Sequence, residues 1–122
     1  MRIYVAGPMR GIKDHPERFR KATAQLRDLG HEVFSPDEQP KHPWSPNPTP
    51  AIREVFKGDM TWICDKADAI ALLPGWNKSK GAKAEAALGK ALGIRVDLIE
   101  TFIGKKHDTK TRQNRRFSTN TK

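Results

Sequence analysis

The sequence predicts an α/β fold: a small, doubly wound parallel sheet of four strands in the order 2-1-3-4, followed by a basic, flexible C-terminal tail. Three observations predict it. Short β-rich runs alternate with segments whose apolar residues recur at helical spacing, giving βαβαβαβ within 122 residues, and parallel strands need such crossover helices. The run from Asp68 to Leu73 is almost continuously apolar, as a central strand buried on both faces requires. The length allows one core and one domain, residues 1–104. Right-handed crossovers and this strand order give a flavodoxin- or Rossmann-like arrangement.

Each element has its own warrant. Residues 2–6, RIYVA, form a β-rich run that stops at Gly7-Pro8. From Pro16, suited to a first helical turn, Phe19, Ala22, Leu26 and Leu29 fall at helical spacing, and Gly30 supplies the stop. His31 to Phe34 read as the second strand. Six prolines between Pro36 and Pro50 then exclude regular structure through about residue 49. This long loop carries Trp44, which either covers a ligand or pins the loop to the core. Thr49-Pro50 opens a second helix with a stripe of Ile52, Val55, Phe56, Met60 and Ile63, reaching about Lys66. After the third strand, Gly81 to Leu92 is Ala-rich and helical, Gly93 closes it, and Ile94 to Ile99 supplies the fourth strand.

The formal charge of +9 is unevenly placed. Residues 105–122 hold seven basic residues against Asp108, so this segment carries +6 and residues 1–104 carry +3. The tail has one large apolar residue, Phe117, and no periodicity, so burial cannot offset its ordering entropy. It reads as a flexible appendage, either solubilising or making weak electrostatic contact with nucleic acid. Mean hydropathy is −0.73, and no apolar run approaches the roughly 20 residues of a membrane span. The start MRIYVAGP lacks a signal-peptide pattern, so the chain reads as cytoplasmic. A single cysteine, Cys64, excludes an internal disulfide and Cys-based zinc patterns, and reads as a small buried residue.

Ligands of open parallel sheets bind beyond the carboxyl ends of the strands, which selects Gly7 to Asp14, the proline-rich loop and Pro74 to Gly81. AGPMRG is neither the dinucleotide fingerprint nor a P-loop, so neither nicotinamide nor nucleoside triphosphate chemistry is indicated. Its glycines Gly7 and Gly11 allow close backbone approach, and Arg10 offers paired hydrogen bonds to a phosphate or carboxylate, or is a solvated loop arginine. PGWNKSKGAKAE places Ser79, Gly81 and three lysines at a helix start, where an anion is stabilised. Glu85 in that helix would stay ionised for the same reason, as a nucleophile or as a surface residue complementing the dipole. Asp59, Asp65 and Asp68 are candidate second carboxylates. Asp68, at a strand start, suits a structural hydrogen bond. Asp59 interrupts an apolar stripe beside Trp62 and needs solvent or a partner.

Taken together, four stretches resemble the nucleoside 2-deoxyribosyltransferase superfamily, closest to its small 2'-deoxynucleoside 5'-phosphate N-hydrolase branch and short phage and bacterial relatives. They are Ile3-Tyr4-Val5-Ala6-Gly7-Pro8-Met9-Arg10-Gly11, Asp59-Met60-Thr61-Trp62 with Ala67-Asp68, Ser79-Lys80-Gly81-Ala82-Lys83-Ala84-Glu85, and Ala91-Leu92-Gly93-Ile94. The resemblance implies an N-glycosidase acting on a (deoxy)nucleoside 5'-monophosphate, without cofactor or metal. Glu85 is then the nucleophile, Asp59 positions the sugar and helps orient the nucleophile, and Tyr4 contributes its hydroxyl nearby. Arg10, Ser79 and the turn at Gly81 bind the 5'-phosphate. Trp76 stacks on the base or packs at a loop corner. The resemblance also implies a homodimer. Pro8 departs from that branch, which has a hydroxyl residue there. The alternatives are base exchange between nucleosides, and a non-catalytic accessory protein that binds nucleotide or nucleic acid.

A chain ending at residue 104 is expected to melt within a few degrees of the full chain. Loss of solubility on truncation, read by thermal melts and size exclusion, would instead show that the tail docks.

Overall fold

The computed structural model of the chain describes residues 1–8, 15–38 and 49–104. The expectations placed on Arg10, Gly11, Trp44 and residues 105–122 lie outside these. Four parallel strands, β1 (Arg2–Ala6), β2 (Glu32–Phe34), β3 (Ala69–Leu72) and β4 (Arg95–Leu98), form one sheet in the order β2-β1-β3-β4. The helices are α1 (His15–Asp28), α2 (Thr49–Lys66), α3 (Lys80–Leu92) and α4 (Ile99–Ile103). Single 3-10 turns lie at Pro36–Glu38 and Trp76–Lys78.

Alternation along the strands divides the core in two. Ile3, Val5, Val33, Ala69, Ala71 and Leu73 meet Phe19, Ala22 and Leu26 of α1 and Ile99 of α4. Tyr4, Ala6, Ile70 and Leu72 face the other way, onto Ile63 of α2 and Ala82 and Ala86 of α3. All four residues of β3 are buried, which is the reason its sequence does not alternate with polar residues. Register places Tyr4 between Phe34 and Ile70, and Ile70 next to Val96. A side chain on Gly89 would meet Ile70 Cδ1 at 2.6 Å and Val96 Cγ2 at 2.8 Å, so this glycine sets how closely α3 lies on the sheet. Gly93 ends α3 in the left-handed region (φ 79°) with its N–H on the carbonyls of Gly89 and Lys90.

Several expectations are corrected. The apolar run from Ile94 to Ile99 contains a four-residue strand and then turns into α4, whose Phe102 and Ile103 pack against the α1 face. Val55 is exposed, so the inward stripe of α2 runs through Phe56, Met60 and Ile63. Leu29 lies past the end of α1, in the turn, and is exposed. Cys64, expected to be buried, is exposed because it follows Ile63 by one residue and so points off the sheet. Asp68 has the structural role expected of it, accepting the Arg2 N–H at 2.8 Å and so tying the start of β3 to β1.

Gly7 ends β1 against β3, where a Cβ would stand 2.8 Å from Leu73 Cβ. That atom cannot retreat without moving the backbone. Gly7→Ala is therefore expected to cost about 1–3 kcal/mol by overpacking, measured as a lower urea midpoint with unchanged slope.

Candidate functional site

Three elements each contribute one polar side chain to the buried space between the sheet and the α2/α3 layer. Tyr4 points there because it is the middle residue of β1 and alternates with Ile3 and Val5 on the opposite face. Asp59 lies three residues after Phe56 and four before Ile63, on the inward side of α2, and is buried. Glu85 lies between Ala82 and Ala86 on the buried face of α3. The start of α3 is set by Ser79, an N-cap whose side chain accepts the Ala82 N–H at 3.2 Å. Glu85 therefore enters one turn below a capped helix end.

These side chains form one hydrogen-bonded cluster. The Tyr4 hydroxyl donates to Glu85 Oε2 at 2.6 Å, and Asp59 is hydrogen-bonded to both. Tyr4 is fully buried, and Asp59 and Glu85 each keep 6% of their surface exposed. Burial is the largest influence on every member. It pushes Glu85 up to about 8, with the nearby Asp59 charge adding to the rise and the Tyr4 hydrogen bond opposing it. Burial also raises Asp59, against hydrogen bonds from Tyr4 and Glu85. The Tyr4 phenol is held well above its ordinary value by burial and by the two carboxyls. The expectation that the helix start keeps Glu85 ionised is thus overturned: removal from water outweighs the dipole. Near neutral pH burial therefore favours the protonated form of Glu85, beside Asp59 and with the Tyr4 phenol as donor.

An aromatic wall flanks the cluster. Phe34 stacks on Tyr4 with centroids 5.5 Å apart and rings inclined by 18°, and Trp62 lies 5.0 Å from Phe34 and 6.4 Å from Tyr4. Phe34 was not legible as a site residue, since only the β1–β2 register sets it beside Tyr4. Trp62 carried a signal, its spacing of three from Asp59, which puts both on neighbouring turns of α2.

The remaining expected residues separate. Ser79 uses its oxygen as a helix cap and leaves its O–H proton available to an anion. A Cβ at Gly81 would stand 3.3 Å from Phe56 Cζ, a tight contact to which the ring would have to yield by a few tenths of an ångström. Gly7 packs on Leu73. Trp76 is half-buried and packs against the Tyr4–Ile70 side of the core. Asp65 is exposed on α2 and Asp68 lies at the amino end of β3, so neither joins the cluster. Among the described residues no group of three or more His, Cys, Asp or Glu side chains has the spacing to hold a metal ion. No helix among them is long and apolar enough to cross a membrane.

A family model described as a domain of unknown function (DUF4406) matches residues 1–98. No curated protein matches the chain. Among solved structures, the chain is similar to a 2-deoxyribosyltransferase from the psychrotolerant bacterium Bacillus psychrosaccharolyticus, described as a biocatalyst for synthesis of antiviral and antitumoral nucleosides. The two share 25% identity over 93% of each chain, with a TM-score of 0.65.

The raised Glu85 carboxyl makes stability depend on pH with a definite sign. Between about 4.5 and about 8 the folded chain holds a proton at Glu85 that the unfolded chain has released, so the parent loses stability as pH rises through that window. Glu85→Gln keeps an acceptor for Tyr4 and cannot ionise. Its stability relative to the parent is expected to be constant below about pH 4.5 and to grow by as much as a few kcal/mol by about pH 8. Chemical denaturation across pH checks this, and a flat difference would place the proton elsewhere.

Proposed function

The chain belongs to the DUF4406 family, and from its buried Tyr4, Asp59 and Glu85 cluster we propose that it cleaves the N-glycosidic bond of a (deoxy)nucleoside 5'-monophosphate through a covalent intermediate on Glu85. The observation that carries the reading is the 2.6 Å hydrogen bond from the only tyrosine to a buried carboxyl, Glu85, that burial and the nearby Asp59 charge push up to about 8. Similarity to a 2-deoxyribosyltransferase supports glycosyl transfer as the class of chemistry.

In this mechanism the proton held at Glu85 passes to Asp59 when the nucleotide displaces water from the site. The Glu85 carboxylate then attacks the anomeric carbon. The carbon–nitrogen bond breaks with its electron pair going to the base nitrogen, and Asp59 returns the proton to the departing base. The Tyr4 hydroxyl, fixed by its stack on Phe34, donates to Glu85 throughout and orients the attacking oxygen. Water resolves the ester to free sugar phosphate and regenerates the carboxyl. Ser79 and the turn at Gly81, together with Arg10 of the segment that follows β1 in the sequence, hold the 5'-phosphate. Trp76 or the Phe34–Trp62 wall offers an apolar face to the base.

The second reading is base exchange, in which another base resolves the intermediate. It is favoured by the activity in the name of the structural neighbour. A non-catalytic nucleotide-binding role would leave the burial of two adjacent carboxyls, Asp59 and Glu85, without a purpose.

Glu85→Gln is expected to lower base release by orders of magnitude while nucleotide binding survives, because the carboxylate acts in the transition state. Free base is measured by chromatography over a nucleotide panel, with binding measured in parallel. Base release at the parent rate in the variant would remove Glu85 from the mechanism. Adding a second free base and looking for a new nucleoside or nucleotide separates exchange from hydrolysis.

A further inference from the structure

We propose that the mouth of this site binds a chain of phosphates, so that a nucleoside 5'-di- or triphosphate is held more tightly than the monophosphate whose cleavage is proposed above; this rests on that glycosidase reading and extends its site outward. The half-buried Phe56 of α2 reaches the first turn of α3, its ring 3.3 Å from where a Cβ of Gly81 would stand. In the chain, Arg53 and Lys57 flank Phe56 on α2, and Lys78, in the turn before α3, with Lys80 and Lys83, in its first turn, flank Gly81. All five are exposed, and among the described residues none enters an ion pair.

The charge is concentrated here. Segments 53–57 and 78–83 hold five basic residues against one acid, Glu54, a net of +4. Residues 1–104 carry +3 in all (16 basic, 13 acidic), so the rest of that span nets −1. A solubilising surface would spread its lysines over several faces. These gather where α2 and α3 meet at the carboxyl end of the sheet, since α2 leads down into β3 and α3 leaves it.

Depth gives the direction. Arg53 precedes Asp59 by six residues and Lys80 precedes Glu85 by five, so the cations stand roughly 7–9 Å farther out along the helices than the carboxyl pair. A sugar at the carboxyl pair with its 5' substituent pointing outward reaches Ser79 with the first phosphate. The cations then meet the phosphates beyond it. One phosphate monoester carries about −1.5 to −2 charges, which Ser79 and two of these cations would already satisfy. A strand of nucleic acid fits less well. Its bases need an exposed stacking platform along a groove, whereas Phe34 and Trp62 are half-buried against Tyr4.

The test uses the full chain carrying Glu85→Gln, which holds nucleotide without turnover. Titration calorimetry at fixed ionic strength measures the mono-, di- and triphosphates of each base, inorganic tripolyphosphate, and a short 5'-phosphorylated single strand. The triphosphate is expected to bind about tenfold or more tightly than the monophosphate of the same base, with a steeper salt dependence. Adding Arg53→Gln with Lys80→Gln should bring that ratio to within about twofold at an unchanged unfolding midpoint, while Arg53→Lys with Lys80→Arg keeps it. Equal affinity for mono- and triphosphate, a ratio that survives the double glutamine variant, or tighter binding of the strand than of the triphosphate would each overturn the proposal. Base release from monophosphates by the parent alongside such a result leaves the glycosidase reading standing. Tripolyphosphate binding that the double variant abolishes, with no base released from any nucleotide, keeps the phosphate site and overturns that reading instead.

Discussion

The rest of the site depends on the hydrogen bond from Tyr4 to Glu85. For a hydroxyl in the middle of a central strand to reach a carboxyl on a helix at 2.6 Å, α3 must lie close on the sheet, and Gly89 permits this by leaving Ile70 and Val96 uncovered. The second carboxyl must come from another helix on the same face, and α2 supplies Asp59. Phe34 and Trp62 then hold the phenol ring from the side away from β3. Burial of two carboxyls beside each other is costly unless a proton is retained. Burial together with the neighbouring Asp59 charge raises Glu85 to about 8, which is why its carboxyl favours keeping a proton near neutral pH.

The electrostatics of the domain are layered along one axis. At the bottom, between sheet and helices, a proton and two carboxyls are kept from water. At the top, the amino-terminal parts of α2 and α3, segments 53–57 and 78–83, carry a net charge of +4 while the rest of residues 1–104 nets −1. The two layers do not neutralise each other by direct pairing. Ion pairs among the described residues lie elsewhere, between Arg2 and Asp68, Arg27 and Glu38, and Arg95 and Asp97, on exposed surface where each contributes little. An anion entering at the mouth meets attraction first and the acid–base pair only at depth.

The shared scaffold with a 2-deoxyribosyltransferase, at 25% identity over nearly the whole of both chains, shows how little of the sequence the fold itself demands. A sheet buried on both faces needs apolar strands, small residues where helices approach, and turns that permit positive φ. Chemistry on such a scaffold is a matter of which few side chains face the α2/α3 layer.

Fold class and strand order were legible in the sequence because they follow from short-range rules: the period of apolar residues, the glycine and proline stops, and the handedness of crossovers. Glu85, Asp59 and Tyr4 were legible as candidates through motif spacing. Their mutual contact was not, since 81 residues separate Tyr4 from Glu85 and only the packed helices close that distance. Local reasoning also misjudged the charge on Glu85: a helix start argues for an anion, but desolvation depends on what covers the residue from distant parts of the chain. Val55 and Cys64 were misplaced for a related reason, because an apolar or small residue on a helix is buried only if the neighbouring elements lie on its side. The sequence by itself determined which elements form and in what order they join the sheet, as local geometry and chirality decide both. Which side chains meet, how dry they are and which of them keeps a proton were decided only by tertiary structure, because each is set by residues far apart in the chain.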